Sequence, residues 1–233
     1  MKVGFVVPVL NEVDVIGGVL NDFNRFFSSG VFSDFEVVLV DGGSDDGTRD
    51  VIYNFVESEN NFHCLASDSR LYKGESVSKG VNFLDADVYV VMDGDGSVCF
   101  RDLLKGLNRF VSSDFGSEVL VGCRSVEGRP SFVRWFASSC YNFYVNFLFS
   151  TGVGDHQCGL KIFSDDVLER VVEECLDGRW FWDTEFLVRC CSKGVSVSEF
   201  NVSWSDGSES NVNLARDGLR LGFKVLRLKR NGF

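Results

Sequence analysis

"YVVMDGDGSV", Tyr89–Val98, begins as an apolar run and ends with two aspartates separated by one glycine. The apolar part reads as a buried strand. Two carboxylates that close repel each other. Either the segment is a plain Asp/Gly turn, or a divalent cation held by hard oxygen ligands offsets the charge. The surrounding sequence decides between them. "KVGFVVPVL" at the start is β-rich and precedes an amphipathic stretch near residues 12–28. "FEVVLVD" (35–41), "FHCLAS" (62–67), "DVYVVMD" (87–93) and "EVLVGCRS" (118–125) read as further strands. Helical signals lie between them in "SDDGTRDVIYNFVES", "ESVSKGVNFLD" (75–85) and "RDLLKGLNRFVSS" (101–113). This alternation predicts an α/β fold with a mainly parallel sheet flanked by helices. Ligands bind such sheets beyond the carboxyl ends of the strands. Three polar clusters fall there: "PVLNE", "DGGSDDGT" and "DGDGS". Neither GxGxxG nor GxxxxGK[ST] follows the first strand, which argues against a dinucleotide dehydrogenase or a P-loop NTPase.

Composition narrows the class. With 233 residues, 45% of them apolar, and 2 prolines with no Ser/Pro/Gly-rich linker, the chain reads as one domain. A net charge of −11 argues against nucleic-acid binding and suits either solubility or a salty cytoplasm. The 8 cysteines show no zinc spacing and read as free thiols in a reducing cytosol. "MKVGFVVPVL" has no small-residue cleavage site, so a first strand is the better reading than a signal peptide. No apolar run is long enough for a transmembrane helix. The expectation is a cytoplasmic chain.

In order along the chain, "VVPVLNE", "VLVDGGSDDGT", "KG...SKG", "VVMDGDGS", "VGCRS", "GDHQCGLKIFS" and "FWDTEFLVRCCSKGVSVSEFNVSW" resemble family 2 glycosyltransferases. The branch they are most similar to is that of the dolichol-phosphate mannose synthases and related polyprenyl-phosphate glycosyltransferases. The resemblance implies a single GT-A domain over 1–213, a GDP- or UDP-linked nucleotide sugar as donor, and inversion at the anomeric carbon. It implies Mg²⁺ or Mn²⁺ on Asp93 and Asp95, with Asp95 central to catalysis. A cation bridging the donor phosphates would stabilise the leaving group. Pro8, Leu10, Asn11 and Glu12 match the family's nucleoside loop. Asp41, and less strongly Ser44 and Asp45, match its second donor-binding segment. Asn11 and Glu12 also read as helix-capping residues, and Lys73 and Lys79 read as surface lysines or as a diffuse attraction for phosphate.

The implied acceptor is a polyprenyl or dolichyl phosphate, and the implied sugar mannose or glucose. A phosphate arrives largely ionised and needs cations rather than a base. Arg124 matches the family's functional arginine and Arg134 a second one; Gln157 and Lys161 lie in the stretch beside the acceptor phosphate. A sugar-hydroxyl acceptor, as in glycan or polysaccharide assembly, would instead need a base, and Asp183 in "WDTEF" is the candidate. A non-catalytic nucleotide-binding module is the remaining alternative. His156 reads as incidental. Two departures bear on the assignment: Ser97 stands where the lipid-phosphate branch usually has Gln, and Asn211 where it tends to carry Lys. The tail 214–233 reads as a basic amphipathic helix, with Leu219, Phe223 and Leu226 on one side and Arg220, Lys224 and Arg227 beside them. It is either part of the same domain or a contact with a membrane surface. Together with the aromatic stretch 131–149, it leads to the expectation of peripheral attachment.

Overall fold

The computed structural model describes residues 1–28, 30, 33–113, 118–124, 132–203 and 214–232. Strands β1 (Val3–Val9), β2 (Phe35–Asp41), β3 (Phe62–Ala66), β4 (Val88–Val91), β5 (Glu118–Arg124), β6 (Lys161–Ser164) and β7 (Ser196–Val202) form a seven-stranded sheet. The order is β3-β2-β1-β4-β6-β5-β7. Helices α1 (Val13–Ser28), α2 (Thr48–Val56), α3 (Lys73–Phe83), α4 (Phe100–Ser112), α5 (Phe132–Phe149), α6 (Asp165–Arg170), α7 (Trp182–Ser192) and α8 (Leu214–Asn231) fill the connections. β1 pairs in parallel with both β2 and β4. Val3, Phe5, Val6 and Val7 of β1 and Val37–Val40 of β2 are fully buried, as expected of parallel strands covered on both faces.

The chain leaves β1 for β2 and β3 on one side and returns to β4 on the other. The switch point between β1 and β4 is therefore where a crevice opens at the carboxyl edge. β6 runs antiparallel to both β4 and β5. Its register pairs Lys161 with Val91 at the end of β4 on one side and with Val121 in the middle of β5 on the other, so β6 begins where β4 ends. This single reversed strand carries the stretch 155–161 to the same edge as the acidic turn.

The five strands and four intervening helices expected up to residue 125 are present within a few residues of their expected bounds. The tail differs in its facing. Val225 and Leu228 of α8 are buried with Val145, Phe181 and Val188, whereas Phe223 is 71% and Leu226 49% exposed. The apolar side read from the sequence thus points partly outward, and α8 seats on α5 by a different stripe. Arg134 falls in the first turn of α5, with its side chain outside the described residues, as is Leu219; Asn211 lies wholly outside them.

Glycine sets the close approach of α3 to the sheet. A Cβ at Gly80 would run into Val6 Cγ1 and lie 3.2 Å from Val40 Cγ2 and 3.3 Å from Val38 Cγ1. Those side chains are fully buried and have nowhere to turn. Gly80→Ala is expected to lower the free energy of urea unfolding by about 1–3 kcal/mol, the usual cost of overpacking, despite the better helix propensity of alanine. An unchanged urea midpoint would contradict this packing.

Candidate active site

Asp93 and Asp95 sit just beyond β4 at the switch point. A Cβ at Gly94 would lie 2.9 Å from Val9 Cγ2 and 3.1 Å from the Pro8 carbonyl, so glycine is what lets the turn lie against the end of β1. Asp95 Oδ1 accepts from the Ser97 backbone N–H at 2.9 Å, an Asx-type turn. The turn reading and the cation reading are therefore compatible. Burial, and next the Asp93 carboxylate, push the Asp95 carboxyl above its ordinary range. Among the described residues buried Ser97 Oγ has no partner at ordinary hydrogen-bond geometry. A hard cation answers both features: it neutralises crowded carboxylates and takes a hydroxyl oxygen as a ligand. Among the described residues no group of three or more His, Cys, Asp or Glu side chains is gathered for an ion. The residues that could hold such a cation are Asp93, Asp95 and Ser97, too few to fill a shell without oxygens from a ligand or water.

Behind this turn lies a chain of alternating charges. Lys73 Nζ is 2.8 Å from Asp93 Oδ1 and 2.9 Å from Asp183 Oδ2. Lys161 Nζ is 2.5 Å from Asp183 Oδ1 and donates to the Cys158 carbonyl at 2.6 Å. Burial favours the neutral form of Asp183, but Lys161 and then Lys73 outweigh it and hold the carboxyl below its usual range. The same two carboxylates hold Lys73 protonated against the cost of its burial. Gly159 makes room for this arrangement, since a Cβ there would overlap the Asp93 carboxylate.

Three residues differ from their expected roles. Lys73, expected at the surface, is 12% exposed and bridges two carboxylates. Lys161, expected at the acceptor phosphate, is fully buried with its ammonium bound to Asp183 and Cys158. Its charge reaches the crevice only through Asp183. Asp41, expected to touch the nucleoside, is also fully buried. Its Oδ2 accepts from Arg49 Nε at 2.8 Å and its Oδ1 from the Ser44 N–H at 3.1 Å. Asp41 shapes the second loop from beneath rather than offering an open carboxylate.

Arg124, at the end of β5, forms a two-pronged pair with Asp155: Nε to Oδ2 at 2.6 Å and Nη2 to Oδ1 at 2.8 Å. Asp155 is fixed further by the Gln157 N–H at 3.3 Å, and Glu199 accepts from the Gly154 and Asp155 N–H groups. Arg124 and half-buried Gln157 are thus brought together on Asp155. His156 is inside: Asn142 Oδ1 faces its Nδ1 at 2.9 Å, and Thr151 Oγ1 its Nε2 at 2.8 Å.

The loops that follow β1 and β2 interlock. Asn11 has a left-handed backbone, φ 56°, which amides tolerate better than most residues. Its N–H donates to Ser44 Oγ at 2.9 Å, its Nδ2 to Asp45 Oδ1 at 2.9 Å, and its Oδ1 accepts from the Asp45 N–H at 3.0 Å. The first N–H groups of α1 are met from the second loop, Glu12 by Thr48 Oγ1 at 2.8 Å and Val13 by Asp46 Oδ2 at 3.1 Å. Pro8, Leu10 and Glu12 are half-buried along the same rim.

Comparison with known proteins places this geometry. Glucosyl-3-phosphoglycerate synthase from Mycobacterium tuberculosis, in complex with Mn²⁺, uridine diphosphate and glucosyl-3-phosphoglycerate, superposes with a TM-score of 0.73 at 15% identity. The match covers 98% of this chain and 79% of that one. Mannosyl-3-phosphoglycerate synthase from Rubrobacter xylanophilus also gives 0.73, at 16% identity, over 98% of this chain and 73% of that one. The fold is therefore that of the GT-A glycosyltransferases. Residues 5–172 match the family described as Glycosyl transferase family 2, and the chain belongs to that family. Glycosyltransferase AglD of Haloferax volcanii is 31% identical over 97% of this chain, which spans only 37% of AglD. The dolichyl-phosphate beta-glucosyltransferase of Dictyostelium discoideum is 25% identical over 95% of this chain and 74% of its own length. Its human counterpart is 24% identical, with 98% and 75% covered.

Burial pushes the His156 imidazole down to about 4, with Asp155 opposing that shift and Lys161 adding to it. The folded protein keeps His156 neutral, while the unfolded chain takes up the proton once the pH falls below about 6.5. Unfolded chains then bind more protons, so stability is lost as pH falls from about 6.5 towards about 4. The loss from this one group is about 3 kcal/mol. His156→Gln is expected to flatten that part of the curve in urea unfolding measured against pH. An equally steep wild-type and variant slope would remove His156 as the cause.

Proposed function

We propose that this chain transfers a hexose from a nucleotide-sugar donor to a polyprenyl or dolichyl phosphate in a reaction that requires a divalent cation. The observation that carries the acceptor assignment is the state of Asp183. Both of its oxygens are ion-paired with lysines and its proton affinity is depressed. A carboxylate so held is a poor general base, whereas a sugar hydroxyl needs one. A phosphate is already nucleophilic at neutral pH and makes no such demand. The names of the dolichyl-phosphate relatives point the same way and favour glucose over mannose as the sugar.

In this reading the interlocked loops at Asn11 and Ser44 receive the nucleoside. Mg²⁺ or Mn²⁺ on Asp93 and Asp95, when bound, would neutralise charge building on the diphosphate. Arg124, fixed by Asp155 at the other end of the crevice, faces the acceptor phosphate with Gln157. The lipid portion calls for a membrane surface beside the site. Phe136, Phe143 and Phe147 of α5 are 56%, 73% and 75% exposed, as is much of Phe223 and Leu226 of α8. Arg220, Arg227 and Arg230 are exposed on α8. Apolar rings next to basic side chains suit the interface of an anionic bilayer. Among the described residues no helix is long and apolar enough to cross a membrane.

The test incubates the intact chain with UDP-glucose or GDP-mannose, Mg²⁺ or Mn²⁺, and polyprenyl phosphate in vesicles. A lipid-linked sugar should form with one donor, disappear with chelator, and fall about a hundredfold or more in Asp95→Asn, the scale of losing one electrostatic partner of a developing charge. Transfer to free sugars with none to the lipid phosphate would overturn the acceptor assignment. Asp183→Asn is not a clean probe of a base, because it leaves buried Lys161 without its counter-charge, a costly change in itself.

A further inference from the structure

Lys73 stands between two carboxylates, Asp93 and Asp183. Asp93, Asp95 and Asp183 face Lys73 and Lys161 across the end of β4, with Asp155 neutralised separately by Arg124. Three carboxylates against two ammonium groups leave one net negative charge. A divalent cation on Asp93 and Asp95 reverses that sign and sets a double positive charge beside an ammonium hydrogen-bonded to the same Asp93. Two cations cannot keep one carboxylate at hydrogen-bond distance without repulsion that grows as water is excluded. Lys73 has a second partner in Asp183, and its long stem can pivot from the first turn of α3. Lys161 has no such freedom, being fully buried.

We propose that Lys73 is a resident counter-ion, a positioning residue that holds Asp93 in place before a divalent cation arrives and then gives Asp93 up, remaining on Asp183. The inference rests on the reading of Asp93 and Asp95 as cation ligands and adds a competitor to it. Cation affinity in the absence of donor is thereby kept low, because the cation must displace an existing ion pair. A bound donor, bringing phosphate charge of its own, shifts the balance back. Metal and nucleotide are expected to enter together.

The experiment titrates Mn²⁺ into the intact, nucleotide-free chain and follows free Mn²⁺ by electron paramagnetic resonance, for wild type, Lys73→Met, Lys73→Arg and Asp95→Asn. Lys73→Met should bind Mn²⁺ about tenfold more tightly than wild type, the ratio that one lost charge-assisted hydrogen bond represents. Lys73→Arg should stay near wild type, and Asp95→Asn should weaken binding. Unchanged or weaker binding by Lys73→Met, or a gain in Lys73→Arg equal to that of Lys73→Met, overturns the inference while wild-type binding keeps the cation reading. No Mn²⁺ binding by wild type overturns both. A second measurement uses wild type alone and covers the case in which Lys73→Met does not fold. Acetylation of Lys73, read by mass spectrometry, should speed up severalfold when Mg²⁺ saturates the protein; an unchanged or slower rate overturns the inference.

Discussion

The site depends on one electrostatic constraint: several carboxylates must be gathered at the end of a parallel sheet without unfolding it. The chain solves this by alternation, Asp93 to Lys73 to Asp183 to Lys161, with each charge between partners of opposite sign. Buried pairs of this kind contribute little net stability, because desolvation consumes most of the attraction. Their value is positional. Breaking one link leaves an uncompensated buried charge, so the side chains are held where they are by the cost of any alternative. β6 makes the alternation possible. Were it parallel to its neighbours, Lys161 would start at the opposite edge and Asp183 would lack its deeper partner.

The first half of the fold was legible in the sequence because its signals are local. Apolar runs at strand length and capped amphipathic stretches report their own identity, and polar clusters after each run report the edge. The acidic turn, Arg124 and Asp183 were legible for the same reason, as charged residues at the ends of recognisable elements. What could not be read was pairing over long sequence distances. Lys73 lies in "RLYKGES", a stretch without an apolar frame, and its two partners are far along the chain. Asp41 reads as available because Arg49, the second residue of α2, gives no hint that it folds back on the strand end. The four-residue β6, beginning with a lysine, carries no periodic signal of its own. The tail misled in a different way: α8 has apolar residues on more than one side, and hydrophobicity alone does not say which side meets the protein.

The loops that follow β1 and β2 show how local strain is offset by contacts from elsewhere. Asn11 pays for a left-handed backbone with three hydrogen bonds to Ser44 and Asp45. The start of α1 is capped from the second loop rather than by its own preceding residues. The two loops therefore form one object, and one cannot be altered without shifting the other. Asn11, which reads as a cap for its own helix in the sequence, spends its side chain on Asp45 of the partner loop instead.

The acceptor end has its own logic. Arg124 is held by Asp155, Asp155 by backbone N–H groups, and that loop by Glu199 from β7. In the proposed role at the acceptor phosphate, an arginine gains from being pre-oriented, because rotamer entropy is then lost during folding rather than at binding. Its carboxylate partner also keeps the crevice from carrying a bare positive charge while no phosphate is present. The same device appears twice at this edge of the sheet: Asp155 offsets Arg124 as Lys73 offsets Asp93, so each of these charges already has a counter-charge. In the proposed reaction a cation and two anionic substrates would each displace or join a pairing already in place.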